Sequence, residues 1–475
     1  MNKVSIYGSL ILVILLGGCA IGPDYQRPET VLPNTFRYQD TNQSISINSG
    51  WWKNFNDEEL SKSIDYALIN NYDLISAQAS VEAMLGKFDT AKSYLYPQLN
   101  ANGSMTRKGV DNATSYNLRD GVTSTYAANL SLASYEIDLF GRVQRANEAV
   151  RAQLLATEYA HQTLIISIAS NTAASYIKIS SLEAQILLAQ ENIKASEEIY
   201  TVNELKYKYG TIPQSTLLQS LAELQNSKAI LTQLHAAKIT EEATFNLLLG
   251  RNPTRVATSE LDCLTYPQPP SYLPSEVLQK RPDVGYAEQN LIASNAKVGI
   301  AMAGYYPSFK LTGLLGVQSL ELSDLTGNPT KIWELAPSIS IPIFTAGRVS
   351  GEIKTAEADY NSTRAAYQKA IINALNDTDN ALGQTTTMRE QLQYQQQRAL
   401  SMKTAFEQSK LRYNAGTIAY NELLIVQLQW LAAQQSYLQA KQNALISTVN
   451  LYKALGGGWD NNQNIPIPNM LPAGR

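Results

Sequence analysis

The chain has 475 residues, 44% hydrophobic and 17% charged, which fits a folded protein and excludes a disordered one. Its formal charge of −3 and sequence pI of about 5.7 supply no basic surface, so nucleic acid is excluded as a partner. Two cysteines, Cys19 and Cys263, cannot build a disulfide framework, and with only two histidines, His161 and His235, no metal site and no cofactor are expected.

In chain order, the first signal is "MNKVSIYGSLILVILLGGCAIGPDYQRPE". A positive Lys3 precedes an apolar run from Val4 to Leu16, thirteen residues long. That is short of the about 20 needed to span a bilayer as a helix, so residues 1–18 read as a signal peptide. One alternative is plain secretion with a small-residue cleavage site. The sharper reading is a lipoprotein, because Leu16-Gly17-Gly18-Cys19 resembles the lipobox, which makes Cys19 the lipid anchor. Ala20 follows the cysteine where lipoproteins held in the inner membrane typically carry an aspartate, so the resemblance to lipoproteins implies delivery to the outer membrane. Residues 19–55 are expected to be a lipidated, extended segment.

The first repeat is placed at 56–250. Asp57–Leu95 reads as helical. "QLNANGSMTR" from Gln98 alternates Leu99, Ala101, Gly103 and Met105 with Asn100, Asn102, Ser104 and Thr106. "YAANLSLASYEIDLF" alternates likewise from Tyr126, with a phase shift near Ser134. Period-two alternation predicts half-exposed strands. From Arg142 to Tyr209 the 68 residues contain no glycine and no proline, which predicts one helix about 100 Å long at ~1.5 Å per residue. Gly210 suits its C-cap, Pro213 suits the first turn of a returning helix, and that helix is placed at Gln214–Leu249.

Residues 251–274 read as a linker containing "YPQPP", with Cys263 beside it as a buried small hydrophobe. The second repeat, 275–456, writes the same elements again. Gly210-Thr211 and Gly416-Thr417 are separated by 416 minus 210, an offset of 206 residues, and the same offset pairs Gly141 with Gly347 and Gly250 with Gly456. Helices are expected at Ser275–Tyr305, Arg348–Ala415 and Tyr420–Leu455. In the last of these, Leu424, Leu431, Leu438, Leu445 and Tyr452 recur every seven residues as packing positions. Strands are expected in "FKLTGLLGVQ" and "WELAPSISIPIF", with Pro337 and Pro342 at a bulge or near the membrane's inner side. Residues 457–475 form a tail.

The fold class is therefore α+β, mainly α, with a tandem internal duplication. The four alternating segments are long enough to cross a membrane as tilted strands; a small soluble sheet packed on helices is the alternative. A sheet in lipid cannot leave its edges open, and four strands cannot close a barrel, so several chains must share one. Asn100, Asn102, Ser104, Asn129, Ser131, Ser338 and Ser340 would then line a watery lumen.

Taken together, "GPDYQRP" at 22–28, "WWKNFND" at 51–57, "YEIDLFGR" at 135–142, "QKRPDV" at 279–284, "YYPSFKLTGLLG" at 305–316, "PIFTAGR" at 342–348 and "NLYKALGGGW" at 450–459 carry a resemblance. In this order they resemble the TolC-like outer membrane factors, in the lipoprotein branch that serves resistance-nodulation-division efflux pumps. The resemblance implies a homotrimer, with a 12-stranded transmembrane β-barrel continued by a periplasmic α-helical barrel. It implies a passive exit duct for drugs and other small molecules, working with a periplasmic adaptor and an inner-membrane pump. It places the chain in the outer membrane with a large periplasmic portion, held to lipid through Cys19.

By the same resemblance the Gly-Thr turns are hairpin tips, so Gly210, Thr211, Gly416 and Thr417 become the adaptor-docking candidates; good turn residues with no further role are the alternative. Family gates carry acids six and nine positions after the second tip glycine, which here are Glu422 and Ile425. The first-half equivalents are Thr216 and Gln219. A gate tyrosine three residues before the glycine matches Tyr413, with Tyr207 as its counterpart. A solvated surface glutamate is the alternative for Glu422.

No catalytic residue is expected: the sequence has no H-E-x-x-H, no G-x-S-x-G, no phosphate loop and no Cys-x-x-Cys. The other readings are a type I protein-secretion duct, and a non-conducting trimeric envelope tether.

Overall fold

The structure, a computed structural model, describes residues 20–30, 32–38, 50–110, 121–267 and 274–458. Cys19, the signal peptide, most of the tail and the "PPSY" end of the linker lie outside the described residues. The chain is α1 Glu58–Asn70, α2 Tyr72–Ser93, β1 Gln98–Val110, β2 Gly121–Ile137, α3 Arg142–Lys208, α4 Gln214–Leu248, α5 Pro274–Lys280, α6 Pro282–Ala303, β3 Ser308–Ser319, α7 Asp324–Gly327, β4 Thr330–Ser340, α8 Arg348–Asn414 and α9 Tyr420–Ala454. Short 3-10 turns lie at Trp51–Phe55 and Leu261–Cys263. No described helix is long and apolar enough to cross a membrane.

The two long helices run 67 residues each; α3 holds no glycine or proline, as expected of so long a helix, and α8 continues unbroken through Gly351 and Gly383. Both helices expected ahead of the strands are broken in two. Between α1 and α2, Asn71 leaves the helical conformation at ψ 125°. Its buried side chain accepts from the N–H groups of Asp73 (2.9 Å) and Leu74 (3.2 Å), and donates to the carbonyl of Leu248 (2.8 Å). It thus caps α2 and satisfies an orphan carbonyl at the end of α4. Between α5 and α6 the break falls at Arg281, which precedes Pro282 and is thereby pushed out of the helical region.

By contact the chain forms two compact units. The first unites residues 1–29, 80–158 and 286–368 and contains the sheet. Its strands are all antiparallel in the order β1-β2-β3-β4, so β1 and β4 are the edges. The ladder is regular except for a shift between Leu132 and Tyr135 in β2, where the sequence changes phase. Pro337 is not at a bulge. It sits in register opposite Leu311 close to the C-terminal end of β4, and Pro342 lies just past that end, so both prolines fall at the strand's terminus. Residues 20–27 are fastened to this unit: Arg145, buried, donates to Asp24 (2.7 Å) and to the carbonyls of Ile21 and Gly22, and Arg27 pairs with Glu288.

The second unit unites residues 30–79, 159–285 and 369–475. Its core joins Trp51, Phe55, Leu60, Ile64, Tyr176, Ile177, Phe245, Leu249, Leu445, Val449 and Leu451, with Trp51 stacked on Tyr452 at 5.1 Å. Arg37 contributes its backbone N–H and its guanidinium to Asp379 on α8. Cys263 is exposed, not buried as expected; Leu261 and Leu264 turn inward instead, and Lys441, itself buried, is held by Asp262.

The helical hairpins end in Schellman caps. At the close of α4, Gly250 has φ +67° and its N–H bonds the carbonyl of Leu247, while that of Arg251 bonds Asn246. A Cβ at Gly250 would fall 2.3 Å from the carbonyl oxygen of Asn70, and one at Gly456 would fall 2.6 Å from that of Lys280. Gly210, at φ +69°, has nothing within 4 Å. Gly250→Ala is therefore expected to cost well over the about 1–2 kcal/mol of a left-handed alanine, and Gly210→Ala only that amount. Thermal unfolding of the two variants checks the difference; equal losses would contradict it.

Candidate functional site

Two features offer function, one in each unit. In the first unit, strand pairing assigns every side chain to a face. Ala101, Leu130, Leu315 and Trp333 form one cross-strand row, since Ala101 pairs with Leu130, Leu130 with Leu315 and Leu315 with Trp333. Above and below it on the same face stand Leu99, Met105, Tyr126, Val317, Leu311, Leu335 and Ile339. Trp333 is 78% exposed and Leu99 72%, so this apolar face is bare in the single chain. A contiguous apolar surface of this kind marks contact with lipid or another protein.

The opposite face carries Asn100, Asn102, Ser104, Thr106, Thr125, Asn129, Ser131, Lys310, Thr312, Gln318, Thr330, Glu334, Ser338 and Ser340. All seven positions expected to line a lumen fall on it. Asn102 donates to Ser131 Oγ (2.8 Å) and to Asn129 Oδ1 (3.3 Å), a small polar lattice across β1 and β2. Ala127, Leu314, Ile332 and Ala336 are the apolar exceptions on it, and Arg107 and Lys331, towards the outer strand ends, are the charged exceptions on the apolar face. The strands run 13, 17, 12 and 11 residues, enough for the about 9–11 that span a bilayer on a tilt.

In the second unit the two hairpin tips are near copies. Gly210 N–H bonds Tyr207 O (2.9 Å) and Thr211 N–H bonds Lys206 O (2.9 Å); Gly416 N–H bonds Tyr413 O (3.0 Å) and Thr417 N–H bonds Arg412 O (3.0 Å). Each threonine hydroxyl doubles the second bond, Thr211 Oγ1 at 2.8 Å and Thr417 Oγ1 at 2.9 Å. Gly210, Thr211, Gly416 and Thr417 are all exposed, at the points where each chain reversal turns.

The tyrosines that precede the tips are not equivalent. Tyr207 is 42% exposed, whereas Tyr413 is buried in a cluster with Ile199, Phe406, Tyr420, Leu423 and Trp430. The Tyr413 hydroxyl donates to Asn203 Oδ1 on α3. Lys206 Nζ stands 3.7 Å from the Tyr413 ring centre, and burial pulls its ammonium pKa down. Burial pushes the Tyr413 hydroxyl up. Glu422 lies exposed in the first turn of α9, and Ile425, also exposed, lies one turn on along the same flank. On α4 the matching Thr216 is half-buried and Gln219 exposed.

A polar seam behind the tips escaped the sequence reading. Gln427, fully buried on α9, donates to Asn192 Oδ1 (3.0 Å) and Ser196 Oγ (3.0 Å) on α3, and Asn192 donates to Ser227 Oγ (2.8 Å) on α4. The signal was present as a second seven-residue series, Gln427, Gln434, Lys441 and Thr448, beside the leucines. Leu424, Leu431 and Leu438 are only half-buried, while Leu423, Trp430, Ala444 and Leu451 pack fully.

Among the described residues no cluster of His, Cys, Asp or Glu could hold a metal. The sequence matches the family described as outer membrane efflux protein over residues 63–251 and 273–457. The chain belongs to that family. The toluene efflux pump outer membrane protein TtgC of Pseudomonas putida is 30% identical over 463 residues, covering 96% of each chain. The cation efflux system protein CusC of Escherichia coli K12 is 30% identical over 454 residues, 94% of this chain and 98% of CusC. The crystal structure of the Campylobacter jejuni CmeC outer membrane channel superposes with a TM-score of 0.87 at 26% identity, over 94% of this chain and 96% of CmeC. This outer membrane efflux protein is thus an exit duct of the outer membrane, with a large periplasmic part, and not an enzyme.

Proposed function

We propose that three copies of this chain close one barrel of twelve strands in the outer membrane, and that the barrel opens into a duct walled by the helices. The observation that carries this is the two-faced sheet with open edges: β1 and β4 have unpaired sides, one face is apolar and the other polar. In lipid, edge N–H and C=O groups find no water, so the edges must pair between copies. The apolar face then meets acyl chains and the polar face encloses water.

Transport through such a duct is passive. Solutes enter at the hairpin tips, where a periplasmic adaptor meets Gly210, Thr211, Gly416 and Thr417 and an inner-membrane resistance-nodulation-division pump supplies the energy. The passengers are drugs and other small molecules, in keeping with relatives named for toluene and for cation efflux. Cys19, as the lipid-bearing residue, adds a second hold on the same membrane.

At the tips, three copies of Glu422 form the acidic ring of the gate, flanked by Ile425 and backed by the buried Tyr413. An acidic ring admits cations preferentially. Recording single-channel currents of the purified protein in a planar bilayer tests this. The expected result is a small cation-selective conductance that grows, and loses selectivity, in Glu422→Ala. Currents unchanged by the substitution would move the gate away from Glu422. Absence of any conductance from trimers shown to be in the bilayer would count against the duct.

A further inference from the structure

The sheet carries a bare apolar corner at each end of its strand order. Past the end of β4, Ile343 is 95% exposed and Phe344 86%. Just ahead of β1, Tyr94 is 59% exposed and Tyr96 62%. Neither corner is a loose loop. The N–H groups of Tyr94, Leu95 and Tyr96 bond the carbonyls of Ala91, Lys92 and Ser93 at 3.1–3.3 Å, and the Tyr135 hydroxyl donates to Leu95 O. On the other side, Arg348 N–H bonds Thr345 O at 2.9 Å, and Ala346 and Gly347 turn the chain at φ 47° and 84°.

Within one chain these corners adjoin opposite edges of the sheet. β1 and β4 are three strand steps apart, roughly 14 Å at ~4.8 Å per step. Between copies they must come together if the edges pair. The strands alternate direction, so β4 of one copy is antiparallel to β1 of the next. That pairing sets the C-terminal end of β4, at Ser340, beside the N-terminal start of β1, at Gln98.

We propose that Ile343 and Phe344 of one copy pack on Tyr94 and Tyr96 of the next, forming a joint at the inner base of the barrel. The partner is a second copy of this chain. The joint rests on the reading that copies close a common barrel. Rings of this size bury about 150–250 Å² each and favour edge or offset contact, so the joint adds side-chain specificity to an edge that otherwise pairs through backbone alone.

The test is a full-length chain carrying Phe344→Cys with Tyr96→Cys, and Cys263→Ser to remove the exposed thiol. Trimers purified in detergent are oxidised and run on a denaturing gel. The joint predicts a shift of the band from monomer to covalent trimer, reversed by reductant and lost in either single-cysteine variant. A disulfide inside one chain would leave the band at the monomer position, so a covalent trimer reports contact between copies only. The pair Ile343→Ser and Phe344→Ser is expected to lose the detergent-resistant trimer without losing helix signal. Trimers by light scattering that neither cross-link nor respond to the serines would overturn the joint and leave the barrel intact, its corners facing lipid. Unaltered protein that never exceeds a monomer in bilayers would overturn the joint and the barrel together.

Discussion

Leu315→Arg is expected to cost about 2–4 kcal/mol of stability in the bilayer, the range for a charge on the lipid face of a barrel near its midplane. Leu315 is in the middle of β3, between Leu130 and Trp333 on the apolar face. A guanidinium there has no water and no carboxylate partner on that face among its cross-strand neighbours. Asn102→Arg, on the polar face, is the control. It gives up two side-chain hydrogen bonds but leaves its charge in water, so it should fold nearly as well and shift ion selectivity instead. Urea titration of protein folded into vesicles reads the difference. Equal losses from the two variants would mean that the faces are not lipid and water.

Arg281→Ala should destabilise the second unit by about 3 kcal/mol, as expected for removing one side of a buried charged network. The buried guanidinium donates to the carbonyls of Ala454 (3.0 Å) and Ala374 (3.3 Å), to Asp283 through Nε (3.0 Å) and Nη2 (2.6 Å), and to Asp377 (3.2 Å). Ala454 ends α9, so its carbonyl has no partner within the helix. Asp377 is well exposed, which holds the cost to the lower end of the range for buried pairs. Arg281→Lys should recover only part of the loss, because one ammonium cannot fork between carboxylate and carbonyls. Thermal unfolding followed by helix signal checks this; an unshifted midpoint in Arg281→Ala would refute the clamp.

Much of the architecture was legible because its signals are local. Sixty-eight residues without glycine or proline state one helix, and the ladder of Asn100, Asn102 and Ser104 states a strand with one wet face. The phase shift near Ser134 became the irregularity between Leu132 and Tyr135. What was missed depends on contacts distant in sequence. Asn71 breaks a helix because Leu248, far along the chain, needs a donor. The break at Arg281 had a local sign in Pro282 that the helical composition around it outweighed. Gln427, which the sequence did not single out, is buried because Asn192 and Ser196 meet it from another helix. The difference between Tyr207 and Tyr413 was illegible for the same reason: the repeat writes both alike, and only the packing around Asn203 and Lys206 separates them.

The central claim is that one face of the sheet touches water inside a membrane-spanning duct and the other touches lipid. Single cysteines placed from Lys310 to Gln318, in a Cys263→Ser chain reconstituted into vesicles, test it most directly; Gly316 is left in place, because a Cβ there would fall 2.5 Å from the carbonyl oxygen of Ala128. Labelling by a water-soluble maleimide should alternate: positions 310, 312, 314 and 318 react, and positions 311, 313, 315 and 317 stay protected. Uniform labelling of both faces would show a sheet bathed in water, and the duct would have to be abandoned.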